Sequence, residues 1–344
     1  MLLKRLHTKL PPNLAPFIPE LESAGIKTTE SLIFTAPSTI LALTSTITHV
    51  QLQQLVSVCI RLTSGGIMAA NEMEYGDVEG PWRGFGVKGL DEMVESWDGV
   101  GALEIAGPRK VGKSLLALHA VLRTLADIPE ASCMWLDTEG TFAPERAVKI
   151  LELWKVSDPH HILQRISVTP CFQLDNVHGA LESLRVAYEA IDDGPRPKIV
   201  VLDTIFTHFK DRLTNTSAQG HAELVSLMED LSALSFAHNL VVLVINSTVT
   251  SFPTNPLSRF NKTNIKPALG TAFTYCTDAT LLVQETGKVF GMMDEEERER
   301  VRRAPGLRAL VEVVRSRVSP TGRWAVFETV RIIYALEVAA EFSS

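Results

Sequence analysis

Residues 107–114 read Gly107-Pro108-Arg109-Lys110-Val111-Gly112-Lys113-Ser114, a complete G-x-x-x-x-G-K-S. The apolar run Ala102–Ala106 comes before it, and a stretch with helical periodicity, 114–127, follows. A strand, a glycine-framed turn and a helix in that order bring a row of backbone N–H groups to one point. The helix N-terminus adds a favourable dipole there, so the turn is built to hold a phosphate. In this setting the motif predicts nucleotide binding through residues 107–114. Lys113 is expected to reach the β- and γ-phosphates, and the Ser114 hydroxyl to ligate Mg²⁺. A strand joined to a helix by such a turn restricts the fold to one that combines sheet and helices.

The rest of the chain agrees with that restriction. Further apolar runs lie at Cys133–Leu136, Arg165–Val168, Ile199–Leu202, Val241–Ile245 and Thr280–Val283. Helical patterns near 144–154, 174–190 and 218–238 separate most of them. The expected fold is α/β: a mostly parallel sheet flanked by helices over residues 82–344. Ala309–Arg315 and Arg323–Glu328, on either side of Ser319-Pro320-Thr321-Gly322, are expected to close it as an antiparallel hairpin. Asp294 opens a charged run that reads as a solvated helix face.

Residues 1–64 read differently, as a small all-helical domain. A helix near Ile18–Ala24 stops at Gly25, and Thr28 or Thr29 can cap another at Glu30–Phe34. Pro37-Ser38 opens a third, and His49–Leu62 places Leu52, Leu55, Val56 and Cys59 on one face. Residues 65–81 carry Glu72, Glu74, Asp77 and Glu79 with no basic residue, and are expected to be an acidic linker.

Composition excludes several function classes. Of 344 residues 45% are hydrophobic, too many for a disordered chain. The longest apolar run, Leu240–Ile245, is far short of the ~20 residues that cross a bilayer, so no membrane partner is expected. Lys4, Arg5 and Lys9 interrupt the N-terminal apolar residues, against a signal peptide. Cys59, Cys133, Cys171 and Cys276 form no C-x-x-C pair and suit reduced thiols in a cytosolic or nuclear protein. The net charge of −7 provides no global attraction to nucleic acid, so any such contact must be local.

Two further motifs extend the phosphate site. Lys198-Ile199-Val200-Val201-Leu202-Asp203 is a buried strand ending in a carboxylate, which places Asp203 to hold the Mg²⁺ through water. A guanine-specific site would carry N-K-x-D after a strand. Asn261-Lys262-Thr263-Asn264 lacks the Asp, so ATP is the expected nucleotide. After the second core strand comes Asp137-Thr138-Glu139-Gly140-Thr141-Phe142-Ala143-Pro144-Glu145-Arg146.

This phrase, about thirty residues beyond the glycine turn, resembles the RecA-like recombinases of eukaryotes and archaea. The resemblance implies that Glu139 orients the water attacking the γ-phosphate and that Arg146 stacks on adenine. It implies that the N-terminal unit is the family's helix-hairpin-helix domain, although its turn lacks the usual glycines. Gly86-Val87-Lys88-Gly89-Leu90-Asp91-Glu92-Met93 resembles the segment that opens the family's ATPase core. Lys266-Pro267-Ala268-Leu269-Gly270, Gln164-Arg165-Ile166 and the Pro320-Thr321-Gly322 turn are similar to the family's D-type paralogue.

The chain also departs from the family. Self-assembling members carry an F-x-x-A knob, and none occurs here; the nearest, Phe34-Thr35-Ala36-Pro37, has the wrong spacing. Where they place a γ-phosphate-sensing Gln, Val244-Ile245-Asn246-Ser247 offers the short Ser247. The resemblance, with these departures, implies a DNA-stimulated ATPase in the nucleus. It would bind single-stranded DNA and work in a heteromer with other paralogues and the main recombinase, in homologous-recombination repair. A self-assembling recombinase and a nucleotide-binding bridge with little hydrolysis are the alternatives. DNA contact is expected in Ser247–Gly270, where Arg259, Lys262 and Lys266 meet no acidic residue and the aromatics Phe252 and Phe260 are present, Phe260 being the ring expected to stack on a base. His208-Phe209-Lys210-Asp211-Arg212 is a weaker second candidate. Tyr75 is a candidate anchor for a partner.

Overall fold

The computed structural model describes residues 3–6, 10–63, 80–95, 97–189, 195–213, 218–291, 294–303, 306–329 and 336–338. Most of the acidic stretch, with Tyr75, lies outside them. The chain folds as two compact units, Met1–Val78 and Glu79–Ser344.

Among the described residues of the first unit, four α-helices follow one another: α1 Ile18–Ser23, α2 Thr29–Phe34, α3 Pro37–Leu43 and α4 His49–Thr63. Each boundary has a local cause. Gly25 takes φ +87°, a value open to glycine, just past the end of α1. The Thr28 hydroxyl accepts from the Ser31 N–H at 3.1 Å and so caps α2. Pro37 opens α3, where its missing N–H costs nothing. The expected face of α4 is present: Leu52, Leu55 and Cys59 are buried against Leu21, Leu32 and Ile40, with Val56 at the margin.

The second unit is a sheet between two helical layers. Its elements run α5 Lys88–Met93, β1 Gly101–Ala106, α6 Lys113–Asp127, β2 Ala131–Asp137, α7 Pro144–Leu153, α8 Pro159–Leu163, β3 Ile166–Pro170, α9 Leu174–Glu189, β4 Arg196–Asp203, α10 Ile205–Phe209 and α11 Ala218–His238. They continue β5 Val241–Asn246, β6 Thr248–Thr250, β7 Ile265–Pro267, α12 Gly270–Thr274, β8 Ala279–Glu285, α13 Thr286–Phe290, α14 Asp294–Arg303, β9 Arg308–Ser316, β10 Trp324–Thr329 and β11 Leu336–Val338. Among the described residues the main sheet has the order β11-β10-β9-β8-β1-β5-β4-β2-β3. Pairing is parallel from β8 to β3 and antiparallel from β8 to β11. Every expected strand and the expected β9–β10 hairpin are therefore present, and the fold is the RecA-like α/β arrangement.

Strand side chains alternate between two cores, as the pleat requires. Ile199, Val201, Leu243, Ile245, Leu281 and Val283 face the layer that contains α6 and α7. Val200, Leu202, Val242 and Val244 face the layer of α9 and α11. Strands buried on both faces read as continuous apolar runs, which is why the sequence reveals them.

The short helices α8, α10, α12 and α13 and the ribbon β6–β7 have no signal of comparable length. The stretch Ser247–Gly270, where DNA contact is expected, is a folded lobe. Its base pairs Thr248 with Pro267, Val249 with Lys266 and Thr250 with Ile265. Backbone bonds from Ser251 to Asn264 and from Asn255 to Thr263 continue the closure above it. No helix among the described residues is long and apolar enough to cross a membrane.

Candidate functional site

In a parallel sheet the strands deliver their C-terminal ends to one edge, where loops form a crevice. Here that crevice is a cleft of about 850 Å³ lined by Lys113, Ser114, Glu139, Arg146 and Asp203, among others. The turn between β1 and α6 is tightly enclosed. Gly112 has φ +96°, and a Cβ there would lie 2.8 Å from the Leu307 Cδ2. A Cβ on Gly107 would meet the Val283 carbonyl oxygen at 2.6 Å. Neither position admits a side chain, so the backbone N–H groups stay open to an anion.

Lys113 sits on the first turn of α6 and its Nζ donates to the Pro108 carbonyl at 2.6 Å. Burial lowers its pKa to about 8; Asp203 and Glu139 oppose that shift, and Arg109 adds to it. The ammonium is thus less favoured than in a free lysine, at the site where a phosphate would stabilise it. Asp203 ends β4 as β4 lies beside β5 and β2. Burial lifts its pKa to about 6, opposed by a hydrogen bond from the Ser114 hydroxyl and by the Lys113 charge. A hydroxyl and a partly desolvated carboxylate side by side, next to a glycine-framed turn and an ammonium, form the donor set that suits a magnesium nucleotide.

Glu139 is built in from both ends. The Asp137 carboxylate accepts from the N–H groups of Glu139 at 3.1 Å, Gly140 at 2.8 Å and Phe142 at 2.9 Å. This locks the backbone of the loop after β2. Thr138 and Thr204 then tie that loop to the end of β4: the Thr138 Oγ1 accepts from the Thr204 N–H at 2.8 Å and donates to the Thr204 carbonyl at 3.0 Å. At the carboxylate end, the Thr207 Oγ1 of α10 donates to the Glu139 Oε1 at 2.9 Å. Arg146, on the first turn of α7, lines the same cleft, as do Arg109 and Lys110. All three candidate motifs therefore converge on one place.

The structure adds groups that the sequence motifs did not single out. Glu104, in the middle of β1, is fully buried, and its pKa is pushed up to about 7 by that burial. It accepts from the Asn246 Nδ2 at 2.7 Å and the Thr280 Oγ1 at 2.8 Å. Asn246 lines the cleft, also donates to the Ala268 carbonyl at 3.1 Å, and accepts from the Ser247 N–H at 2.7 Å. A lone charge inside an apolar strand was the available signal for Glu104. Nothing local marks Thr207, because its role depends on where α10 falls.

The second candidate region divides. Arg259, Lys262 and Lys266 are all exposed on the β6–β7 lobe. The lobe is anchored from beneath by buried Glu312, which accepts from the Ser258 hydroxyl at 2.6 Å and from the Arg259 N–H. Phe260 is half-buried rather than a free ring. It packs edge-on against Phe290 at 5.8 Å and Trp324 at 5.5 Å, because apolar surface from α13 and β10 is within reach. Phe252 is the exposed ring of this lobe, at 89%. In the weaker stretch, Phe209 is buried and Arg212 pairs with Glu223 at 2.8 Å. Arg165 is a structural residue: its guanidinium donates to the carbonyls of Ile128 at 2.9 Å, Pro129 at 3.0 Å and Ala131 at 2.8 Å.

Comparison with known proteins supplies the relationship. The chain is 27% identical over 173 residues to the DNA repair and recombination protein RadB of Pyrococcus abyssi, covering 50% of this chain and 69% of that protein. It is 26% identical over 243 residues to the DNA repair protein RAD51 of Saccharomyces cerevisiae, covering 67% of this chain and 58% of that protein. A RAD51 homologue of Solanum lycopersicum matches at 23% over 279 residues, 78% of each. The crystal structure of a RadB recombinase superposes with a TM-score of 0.55 over 74% of this chain and 98% of that one. At 22% identity it supports the fold alone. The Rad51 family model matches residues 85–292, more than half of the chain and the segment that builds the cleft. By that match the chain belongs to the Rad51 family.

Proposed function

We propose that this chain is a RecA-type ATPase that binds ATP·Mg²⁺ and single-stranded DNA and assists homologous-recombination repair in the nucleus, within a heteromer of recombinase paralogues. Its likeness in short motifs is to the D-type paralogue. In this reading residues 1–64 form a helical partner-binding domain, 65–81 an acidic linker and 82–344 the ATPase core. The observation that carries the reading is the convergence of Lys113, Ser114, Glu139, Arg146 and Asp203 on one cleft.

Bound there, the magnesium nucleotide supplies a γ-phosphoryl group open to in-line attack by water. Lys113 exchanges the Pro108 carbonyl for phosphate oxygen. Ser114 and Asp203 would hold the cation, and Arg146 would stack on the adenine. Glu139 accepts the proton of the attacking water, acting as general base. Arg259, Lys262 and Lys266 neutralise DNA phosphates, and exposed Phe252, rather than Phe260, offers the ring on which a base stacks.

The test is Glu139→Gln. It should keep ATP affinity in calorimetry and lose most turnover, because an amide cannot take the proton. A Gln variant that turns over as fast as an active wild type would remove Glu139 from the mechanism. The second reading, a nucleotide-binding bridge that hardly hydrolyses, is favoured by Ser247: its short side chain stands at the cleft where a longer one would sense the γ-phosphate. Wild-type turnover as low as that of the Gln variant would favour it.

A further inference from the structure

Glu139 projects from a loop, and a general base on a loop needs its carboxylate held as well as its backbone. The cap from Asp137 fixes the backbone, but the side chain still has rotatable bonds that the cap does not touch. Thr207 supplies the missing restraint at the other end. It belongs to α10, whose Ile205 and Phe209, four residues apart on one helical face, are both fully buried. Pinned on that face, α10 turns Phe206 and Thr207 outward; Phe206 lines the cleft, and the Thr207 Oγ1 reaches the Glu139 Oε1. The reciprocal Thr138–Thr204 bonds join the two segments one residue before Glu139 and three before Thr207. Both residues therefore project from segments that are tied together where they leave the ends of β2 and β4.

From this geometry we propose that Thr207 is a positioning residue for Glu139, holding Oε1 by its hydroxyl so that Oε2 is presented to the attacking water. The proposal rests on the reading of Glu139 as general base given above. Threonine is well suited to that role, since its β-branch restricts χ1 and its one hydroxyl proton is committed to the carboxylate. A carboxylate free to turn would spend much of its time aimed away from the water, which lowers kcat and leaves nucleotide binding alone.

The experiment uses the full chain with Thr207→Val, which keeps the shape and removes the donor, and Thr207→Ser, which keeps the donor. Each is also combined with Glu139→Gln. The Val variant should lose roughly tenfold in kcat with KM for ATP and calorimetric ATP affinity unchanged. The Ser variant should recover most of that loss, and Val should cost nothing further in the Gln background. Crystals of the nucleotide-free proteins provide a readout independent of turnover. Glu139 should hold one rotamer in wild type and the Ser variant and several in the Val variant.

Wild-type kcat in Thr207→Val, with Glu139→Gln inactive, overturns the proposal and leaves the function standing. A raised KM or a lowered melting temperature that accounts for the loss would make Thr207 merely structural, and also overturns it. Full turnover in Glu139→Gln removes the general-base reading and this inference with it.

Discussion

Two ionisable groups, half-buried Lys113 in the cleft and fully buried Glu104 behind it, make contrasting predictions. Burial brings Lys113 down to about 8, so the free site begins to lose its positive charge at mildly alkaline pH. Phosphate favours the ammonium, so above that point binding must take up a proton. ATP affinity is expected to fall by up to about tenfold per pH unit above pH 8. Lys113→Ala should abolish this alkaline limb and cost roughly 2–3 kcal/mol of binding at neutral pH, both read by calorimetry, with the fold intact. Unchanged affinity would place the phosphates elsewhere. Glu104 runs the other way. Burial raises it from 4.5 to about 7, opposed by the bonds from Asn246 and Thr280 and by the Arg315 charge. A carboxyl raised in the folded state contributes stability that is fully present below 4.5 and lost as pH rises through about 7. Glu104→Gln keeps an acceptor for Asn246 without the charge. It should stabilise the protein by roughly 2–3 kcal/mol above pH 8 and by nothing below pH 4, as measured by urea unfolding at the two pH values.

At the level of elements, the β6–β7 lobe is where backbone order and charge meet. Its base is paired, its interior is held by Asn255, Thr263 and Glu312, and its cations remain outside. A rigid platform loses less entropy on binding than an open loop, so its cations act at fixed positions. Changing Arg259, Lys262 and Lys266 together to Ala should weaken binding to single-stranded DNA and reduce the log–log salt slope by ~0.7 per cation. An unaltered slope in a salt titration would move the DNA site off this lobe. The ring prediction belongs here too. Phe252→Ala should weaken DNA binding by about 1–3 kcal/mol without loss of stability. Phe260→Ala should instead lower the melting temperature, because it opens the contact with Phe290 and Trp324.

For the whole molecule, the question is assembly. The chain lacks an F-x-x-A knob, and Phe34, the nearest match, is 84% exposed on a short helix whose following residues are Thr35, Ala36 and Pro37. With ATP and single-stranded DNA the purified chain should remain a monomer or small oligomer in electron micrographs. Its modest DNA affinity should rise when a partner adds a second DNA-contacting loop. Long regular filaments would overturn the heteromeric reading and restore the self-assembling one.

The sequence by itself determined the glycine-framed strand–turn–helix, the alternation of buried strands with helices, and the carboxylate ends of β2 and β4. Each of these is a local pattern: a glycine turn that excludes Cβ atoms, an apolar run buried on two faces, an i, i+4 stripe. What only the tertiary structure decided are pairings between side chains far apart in the chain. Thr207 and Glu139 are 68 residues apart, Asn246 and Glu104 are 142, and Thr280 and Glu104 are 176. Phe260 likewise reads as a free ring until α13 and β10 fold against it. Such contacts follow from strand order and register, which place residues side by side with no trace in their own neighbourhoods.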